Sequence, residues 1–448
     1  MKLFGTDGIR GKANQPPLDS QTLVNLGIVL GRQLNRSSEE ALVLFAHDGR
    51  RSSGQIRCAL EAGLLSTGAS TRNGGLLTTP ALAHETRLGH YSAGVMLSAS
   101  HNPAEDNGIK LFGGDGRKLA DSLEAKIEQE MASGVALPEG EPGMSGRFKD
   151  PGLDYRRWLE EAPFAGLSLS GLRILVDCAN GAGSRLAPRV LSDLGASLVI
   201  RNDRPDGSNI NLQCGALYPN YISEEVRSQG CDLGLCLDGD GDRSIFVDDA
   251  GQVVHGDALL CLLAEAQLER GELAKSKIAV TVMSNLALKK RLRARGIEIV
   301  ETPVGDRSVV AAMEEQGLSL GGEPSGHIIF GPEHHYTGDG LYTCLKLLRL
   351  LKSSGKALSA LTQDFRPFPQ LLVNVRVNEK PALDSLPRVV EAQKAVEERL
   401  GEDGRVVLRY SGTENLCRVM IEGPEEGLVR ELTEQLADAV RLAIGAPE

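Results

Sequence analysis

Three stretches of the chain repeat one arrangement: a short apolar run, a polar or glycine-rich turn, then apolar residues at helical spacing. They are residues 41–65 (ALVLFAHDGRRSSGQIRCALEAGLL), 172–191 (LRILVDCANGAGSRLAPRVL) and 277–292 (KIAVTVMSNLALKKRL). An unbroken apolar run before a helix is the pattern of a strand buried on both faces, so each stretch predicts a βαβ unit of a largely parallel sheet. Their wide spacing predicts that the unit opens each of three successive doubly wound α/β domains, although as a repeat signal the likeness among them is weak. The tail reads differently. Residues 371–377 (LLVNVRV) alternate as a half-exposed strand does, 406–408 and 419–421 add two shorter apolar runs, and Leu428, Leu432, Leu436 and Val440 recur with helical period. Strands mixed with helices there predict a small α+β domain, with the terminal helix packed on one sheet face. Segments rich in Gly, Pro and charge at 140–154 and 365–369 mark boundaries. The expected domains are 1–153, 154–254, 255–368 and 369–448, with clefts between them.

A length of 448 residues agrees with several domains, because single cores stop growing well below that size. With 41% hydrophobic and 24% charged residues and no apolar run long enough to span a bilayer, the chain reads as globular, with no membrane partner. Residues 1–7 carry no apolar export signal, so the expected location is the cytoplasm. The 8 cysteines are scattered without metal-type spacing and read as reduced thiols, several of them in apolar runs (Cys178, Cys236, Cys261). A net charge of -11 argues against nucleic acid as a partner. An anionic substrate would need a locally basic pocket, for which Arg10, Arg50, Lys110, Arg243, Arg307, Arg409 and Arg418 are the candidates.

Four loops carry chemistry. Ser100 follows the apolar run 93–97, and Pro103 prevents a helix from starting there, which exposes a hydroxyl at a strand end. No GxSxG elbow surrounds it, so a hydrolase triad is not indicated. Asp238, Asp240 and Asp242 follow a second such run, 233–237, with glycines between them that let several carboxylates aim at one point. Three carboxylates so close repel unless a cation neutralises them. An EF-hand is excluded by Arg243 in the position that needs glycine and by a strand-like continuation. An acidic hairpin turn is the bland alternative to a hard divalent cation, Mg²⁺ completed by a phosphate oxygen. Residues 322–327 (GEPSGH) place Glu323, Ser325 and His327 on a turn suited to the hydroxyls of a sugar, or to a plain surface turn. Residues 409–415 (RYSGTEN), with Arg418 beyond, form a cradle for a phosphate that is held without being transferred.

FGTDGIRG at 4–11, SASHNP at 98–103, DGDGDR at 238–243, GEPSGH at 322–327 and RYSGTEN at 409–415 occur in the order and spacing of the α-D-phosphohexomutases, and the chain resembles that family throughout. The opening FGTDGIRG, VGDR at 304–307 and the GGEPSGH context resemble its branch acting on glucosamine phosphates. The resemblance implies four domains around a central cleft, each giving one loop to it. It makes Ser100 the serine carried as phosphoserine, with Ser98 as neighbour, and assigns Asp238, Asp240 and Asp242 to Mg²⁺ with the Ser100 phosphate as the remaining ligand. Glu323 and Ser325 would select sugar hydroxyls, while Arg409, Ser411, Gly412, Thr413 and Arg418 would clamp the substrate phosphate. Arg10, His101, Lys110 and His327 would stabilise the moving phosphoryl group or shuttle protons.

The implied reaction interconverts glucosamine 6-phosphate and glucosamine 1-phosphate through glucosamine 1,6-bisphosphate, for UDP-N-acetylglucosamine synthesis. An activating kinase or a bisphosphate would load Ser100, and the expected assembly is a monomer or homodimer. A phosphoglucomutase or phosphomannomutase of the same family is the near alternative; a serine-dependent metal phosphatase and a non-catalytic sugar-phosphate sensor are the distant ones. Departures from the family pattern at 48–53, Pro324, 214–218 and RYSGTEN bear on sugar preference more than on reaction type.

Overall fold

The computed structural model describes residues 2–446 apart from Thr6, 37–39 and 412–414. Its three α/β domains share a plan that follows from the apolar runs. In the first, Leu42–His47 lies in the middle of a 6-stranded sheet, parallel to both Ser70–Leu76 and Ala93–Leu97. Its side chains alternate between two interiors: Val43 and Phe45 pack under the helices Ser20–Asn35 and Ser53–Ser66, while Leu44 and Ala46 face the opposite side with Leu77, Ala81 and Leu82. A strand with two buried faces has no place for alternating polar residues, which is why LVLFA is unbroken.

The second domain repeats this with Arg173–Asp177 between Ser197–Arg201 and Leu233–Leu237, all parallel. The third does so with Lys277–Thr281 between Glu298–Thr302 and Leu320–Gly322. The three predicted strand-turn-helix units are therefore present, each holding an interior strand of its sheet. They do not all open their domains: Ile9–Lys12 and the helix Ser20–Asn35 come first in one, and the helix Gly256–Glu269 precedes the unit in another. The segment 140–154 contributes the short strand Ser145–Arg147, which pairs with Ser70–Leu76 at the sheet edge.

In each α/β sheet one parallel strand runs directly into an antiparallel partner. Ala93–Leu97 turns back into Asp106–Gly113, Leu233–Leu237 into Ser244–Asp248, and Leu320–Gly322 into Ile328–Phe330. The loops at 98–103, 238–243 and 322–327 are the connections of these pairs, so all three occupy the same topological place, beyond the carboxyl end of a parallel strand.

The C-terminal domain is a 3-stranded antiparallel sheet, Gln370–Arg376, Leu416–Glu422 and Arg405–Tyr410, covered by the helices Pro387–Leu400 and Glu426–Ile444. It has an apolar core of its own, drawn from residues 375–444, whereas one continuous core runs through the first three domains from Leu44 to Phe365. All 8 cysteines are free thiols, and only Cys58 is exposed. No described helix is long and apolar enough to cross a membrane.

Candidate active site

Ser100 is 1% exposed, and its backbone is held in the left-handed region at φ 51. For a residue with a Cβ that conformation costs energy, and the surroundings over-determine it. Ser98 Oγ accepts from the Ser100 amide at 2.8 Å and donates to Asp48 Oδ2 at 2.6 Å. Arg50 is buried beside it. Its Nε donates to Asp48, and its two terminal nitrogens donate to the backbone carbonyls of Ser100, Asn102, Pro103 and Asp106. Asn211, from the second domain, adds its side-chain amide to the carbonyls of Ser100 and Asn102. Arg50 is thus no part of a substrate pocket, as its charge alone suggested; it is a clamp on the serine loop. Gly239 passes so close that a Cβ there would stand 2.5 Å from the Ser100 carbonyl oxygen, which requires glycine in the metal-type loop.

The Ser100 hydroxyl donates to Asp238 Oδ2 at 2.7 Å, joining the serine of the first domain to the carboxylates of the second. Asp238, Asp240 and Asp242 are all buried, with ligand oxygens within 4.8 Å of one another. Asp240 Oδ2 accepts from Thr79 Oγ1 at 2.5 Å and from Lys110 Nζ at 2.8 Å; Asp242 Oδ2 accepts from Lys110 at 3.0 Å. The second oxygens, Asp240 Oδ1 and Asp242 Oδ1, are buried with no hydrogen-bond partner. Orphaned buried carboxylate oxygens beside a trio of hard donors fit a divalent cation, because such atoms otherwise carry their full desolvation cost.

Burial, and after it Asp242 and Asp240, pushes the Asp238 carboxyl well above the ordinary carboxylate range. Burial acts the same way on Asp242, but Lys110 and then His327 outweigh it and hold that group well below the range. For Lys110 burial alone would lower the pKa; Asp240, Asp242 and Asp7 overcome it and keep the ammonium charged well above the usual lysine value. His101, whose Nδ1 lies 3.4 Å from Ser100 Oγ, is lowered to about 4 by burial first, then by Arg243 and Arg10. His327 goes the other way: Asp242 and Asp306 outweigh its burial and raise it.

The opening motif enters through Asp7, which carries Arg10 at 2.5 Å, Lys118 at 2.5 Å and Lys110 at 3.2 Å. Lys118 also pairs with Asp306 of the third domain, and Arg307 beside it pairs with Asp121 and Glu124 of the first. Residues 304–307 are therefore a latch between domains, and Arg307 is taken by protein carboxylates, as Arg50 is taken by Asp48 and backbone carbonyls. The latch also touches the sugar-type loop, where the Gly305 amide donates to Glu323 Oε1 at 3.1 Å. Ser325 Oγ is buried with no hydrogen-bond partner, and His327 Nδ1 lies 3.6 Å from Asp242. A cavity of about 660 Å³ opens beside these groups, lined by Lys118, Asp242, Asp306, His327 and Tyr336.

In the C-terminal domain Arg409 and Arg418 stand directly opposite each other on paired strands, and Arg418 lies 3.5 Å from the buried Ser411 hydroxyl. Burial, then the neighbouring Arg418, lowers the pKa of Arg409, the expected effect of two cations brought together. Gly412 and Thr413 lie outside the described residues.

Asp7, Thr79, Lys118, Asn211 and Asp306 join the site without having been singled out from the sequence. Thr79 had a signal, since it follows the end of Ser70–Leu76 and starts the helix Thr79–Leu88, a position where α/β folds place functional groups. Lys118, Asn211 and Asp306 make contacts between domains, and Asp7 meets Lys110 and Lys118 of its own domain more than a hundred residues along the chain.

Models of all four phosphoglucomutase/phosphomannomutase domains match the chain in order: α/β/α domain I over residues 1–136, domain II over 157–251, domain III over 255–368 and the C-terminal domain over 372–439. Among curated relatives, the phosphoglucosamine mutase of Syntrophus aciditrophicus is 41% identical, covering 99% of this chain and 100% of its own. That of Solibacter usitatus is 44% identical over 99% of both. Among solved structures, a phosphoglucomutase/phosphomannomutase family protein from Burkholderia thailandensis superposes with a TM-score of 0.81 at 24% identity, covering 99% of this chain and 97% of that one. The N-acetylphosphoglucosamine mutase of Aspergillus fumigatus, solved with GlcNAc-6P and magnesium, gives 0.67 at 20% identity, covering 99% and 96%. Full-length matches to relatives above 40% identity, together with the matches of all four domain models in order, establish that it belongs to the phosphoglucomutase/phosphomannomutase family.

Proposed function

We propose that the protein is a phosphomutase that interconverts glucosamine 6-phosphate and glucosamine 1-phosphate, with Ser100 carrying the phosphoryl group between turnovers. The observation that carries this reading is the meeting of Ser100 with Asp238 at 2.7 Å, beside the Asp240 and Asp242 carboxylates that Lys110 holds. The choice of an amino sugar rests on the relatives named phosphoglucosamine mutase.

Asp238, Asp240 and Asp242 would hold the cation, for which Mg²⁺ suits an all-oxygen donor set. When bound, Mg²⁺ would supply positive charge to the phosphoryl oxygens and so lower the barrier to transfer. Lys110 and Arg10 add fixed positive charge from the first domain, aimed where negative charge builds up. Glu323 and Ser325 orient the sugar hydroxyls. Arg409, Ser411 and Arg418, with Gly412 and Thr413 of the same loop, grip the phosphate that is not moving. His101 and His327, on either side of the carboxylates, carry the proton.

In the first half-reaction the bond from phosphorus to Ser100 Oγ breaks and one to a sugar hydroxyl oxygen forms, with the hydroxyl proton passing to the enzyme. The glucosamine 1,6-bisphosphate so made turns end over end. In the second half its other phosphoryl group returns to Ser100, and the proton goes back to the freed sugar oxygen. A bisphosphate also serves to load the serine at the start.

Ser100→Ala tests the assignment. Turnover of glucosamine 6-phosphate is expected to vanish, while circular dichroism and Mg²⁺ binding stay as in the parent. Substantial residual turnover would point to Ser98 instead. Wild-type rates on glucosamine, glucose and mannose phosphates test the sugar; faster conversion of a hydroxy sugar would reassign the substrate and leave the chemistry in place.

A further inference from the structure

A second concave site lies away from the cleft, at the junction of the first two domains. It has a volume of about 410 Å³, and no residue of the serine, metal, sugar or phosphate loops lines it. Four guanidinium groups do: Arg147 at the end of Ser145–Arg147, Arg156 on the helix Leu153–Glu161, and Arg185 and Arg189 on the helix Gly183–Asp193. Arg185 and Arg189 are four residues apart, one turn of the same helix face.

This positive charge is poorly matched by the protein itself. Among the described residues Arg147 and Arg185 have no carboxylate within 4.0 Å, and Arg156 and Arg189 have only long contacts, at 3.9 to 4.0 Å, to Glu160 and Asp193. Asp150 is the one carboxylate in the lining. On a chain with a net charge of -11, four arginines gathered in a hollow cost repulsion unless an anion is there to share.

Beside Asn73 and Asp150, the wall has an apolar part. Leu186 and the half-buried ring of Phe148 contribute to it, and Phe148 is set edge-on against Tyr91 at 6.2 Å between centroids, which fixes its orientation. A single small anion would leave that wall and most of the volume unused. Pockets of this size and mixed character hold small organic ligands.

We propose that this pocket binds a nucleoside diphosphate, free or esterified to a sugar, with the arginines on the two phosphates and the base or ribose against Phe148 and Leu186. The site is distinct from the reaction cleft.

Calorimetric titration of the full-length protein with ADP and with UDP, in chelator to exclude divalent cations, tests this. At least one of the two is expected to bind, and binding is expected to persist in Arg409→Ala/Arg418→Ala, which removes the phosphate clamp of the cleft. It is expected to weaken at least about tenfold in Arg185→Gln/Arg189→Gln, as losing two charge-assisted contacts requires. Arg147 is exposed, and Arg147→Gln carries the same expectation should the double variant fail to fold. Absence of binding by both nucleotides, affinity unchanged in the pocket variants, or affinity lost only with Arg409 and Arg418 would overturn the proposal. Inorganic pyrophosphate binding as tightly as the nucleotides would overturn the role given to the apolar wall.

Discussion

Replacing Arg50 with lysine keeps the charge and removes the geometry. All five N–H groups of the guanidinium are engaged, one with Asp48 and four with the backbone carbonyls of Ser100, Asn102, Pro103 and Asp106. An ammonium group has three hydrogens on one nitrogen, so at least two contacts are lost. At about 1.5–3 kcal/mol for each hydrogen bond to a charged group, the hold on the serine loop weakens by roughly 3–6 kcal/mol. That exceeds the roughly 1–3 kcal/mol of strain stored in a left-handed serine, so the loop relaxes and the hydroxyl leaves its place beside Asp238. A displacement on the order of 1 Å costs about 100-fold in rate. In steady-state assays with Mg²⁺ and a trace of bisphosphate, kcat of Arg50→Lys is expected to fall about 100-fold, with KM within about threefold of the parent because the sugar and phosphate loops are untouched. Arg50→Ala should also lower stability by about 3–5 kcal/mol, since Asp48 is then buried without its partner. A lysine variant that keeps the parent kcat would refute the view that the clamp positions the nucleophile.

Three other outcomes follow from the same contacts. Glu85 accepts from the Asp154 and Tyr155 amides and is pushed up to about 7, chiefly by burial. Its folded value lies above its ordinary one, so the stability it adds is complete below about pH 4.5 and is lost as pH rises through 7, on the order of 3 kcal/mol. Glu85→Gln should therefore be the more stable protein in urea at pH 8 but not at pH 4.5, and parallel pH profiles would contradict this. Thr79→Val removes a hydroxyl that supports Asp240, and should raise the Mg²⁺ concentration for half-maximal activity about 10-fold or more, with kcat at saturating Mg²⁺ little changed. Arg307→Gln should destabilise by about 1–2 kcal/mol, and adding Glu124→Gln should cost little more, because both changes break one contact; additive losses in urea melts would show the pair to be uncoupled.

Much of the architecture could be read from short-range pattern. Residues 93–97 and 233–237 are strands with the residue limits their apolar runs suggest, and the tail is the small α+β domain its alternation predicts. The helix Pro387–Leu400 has no pattern that locates it: it buries only Val389, Val396 and Leu400, too sparse a stripe to stand out. In the site, the carboxylate trio was legible because its members are two residues apart and must converge wherever the loop lies. Charge, by contrast, carried no address. Arg50, Arg307 and Arg10 look alike in the sequence, yet one clamps backbone carbonyls, one latches two domains and one stands beside Lys110 on Asp7. Asp7 meets Lys118 across 111 residues and Asn211 meets Ser100 across another 111, distances over which no periodicity speaks.

The division of the apolar interior has a consequence for how the molecule comes apart. The first three domains share one core, so separating them exposes hydrocarbon to water and they melt together. The C-terminal core is closed on itself. That domain is held to the third by polar contacts, chiefly Arg405 on the carbonyls of Val282 and Ser284 and Glu422 on the Leu286 amide, which water can replace. The heat capacity of opening at that joint is therefore small, and the opening equilibrium changes little with temperature, whereas opening anywhere else carries the steep temperature dependence of an exposed core.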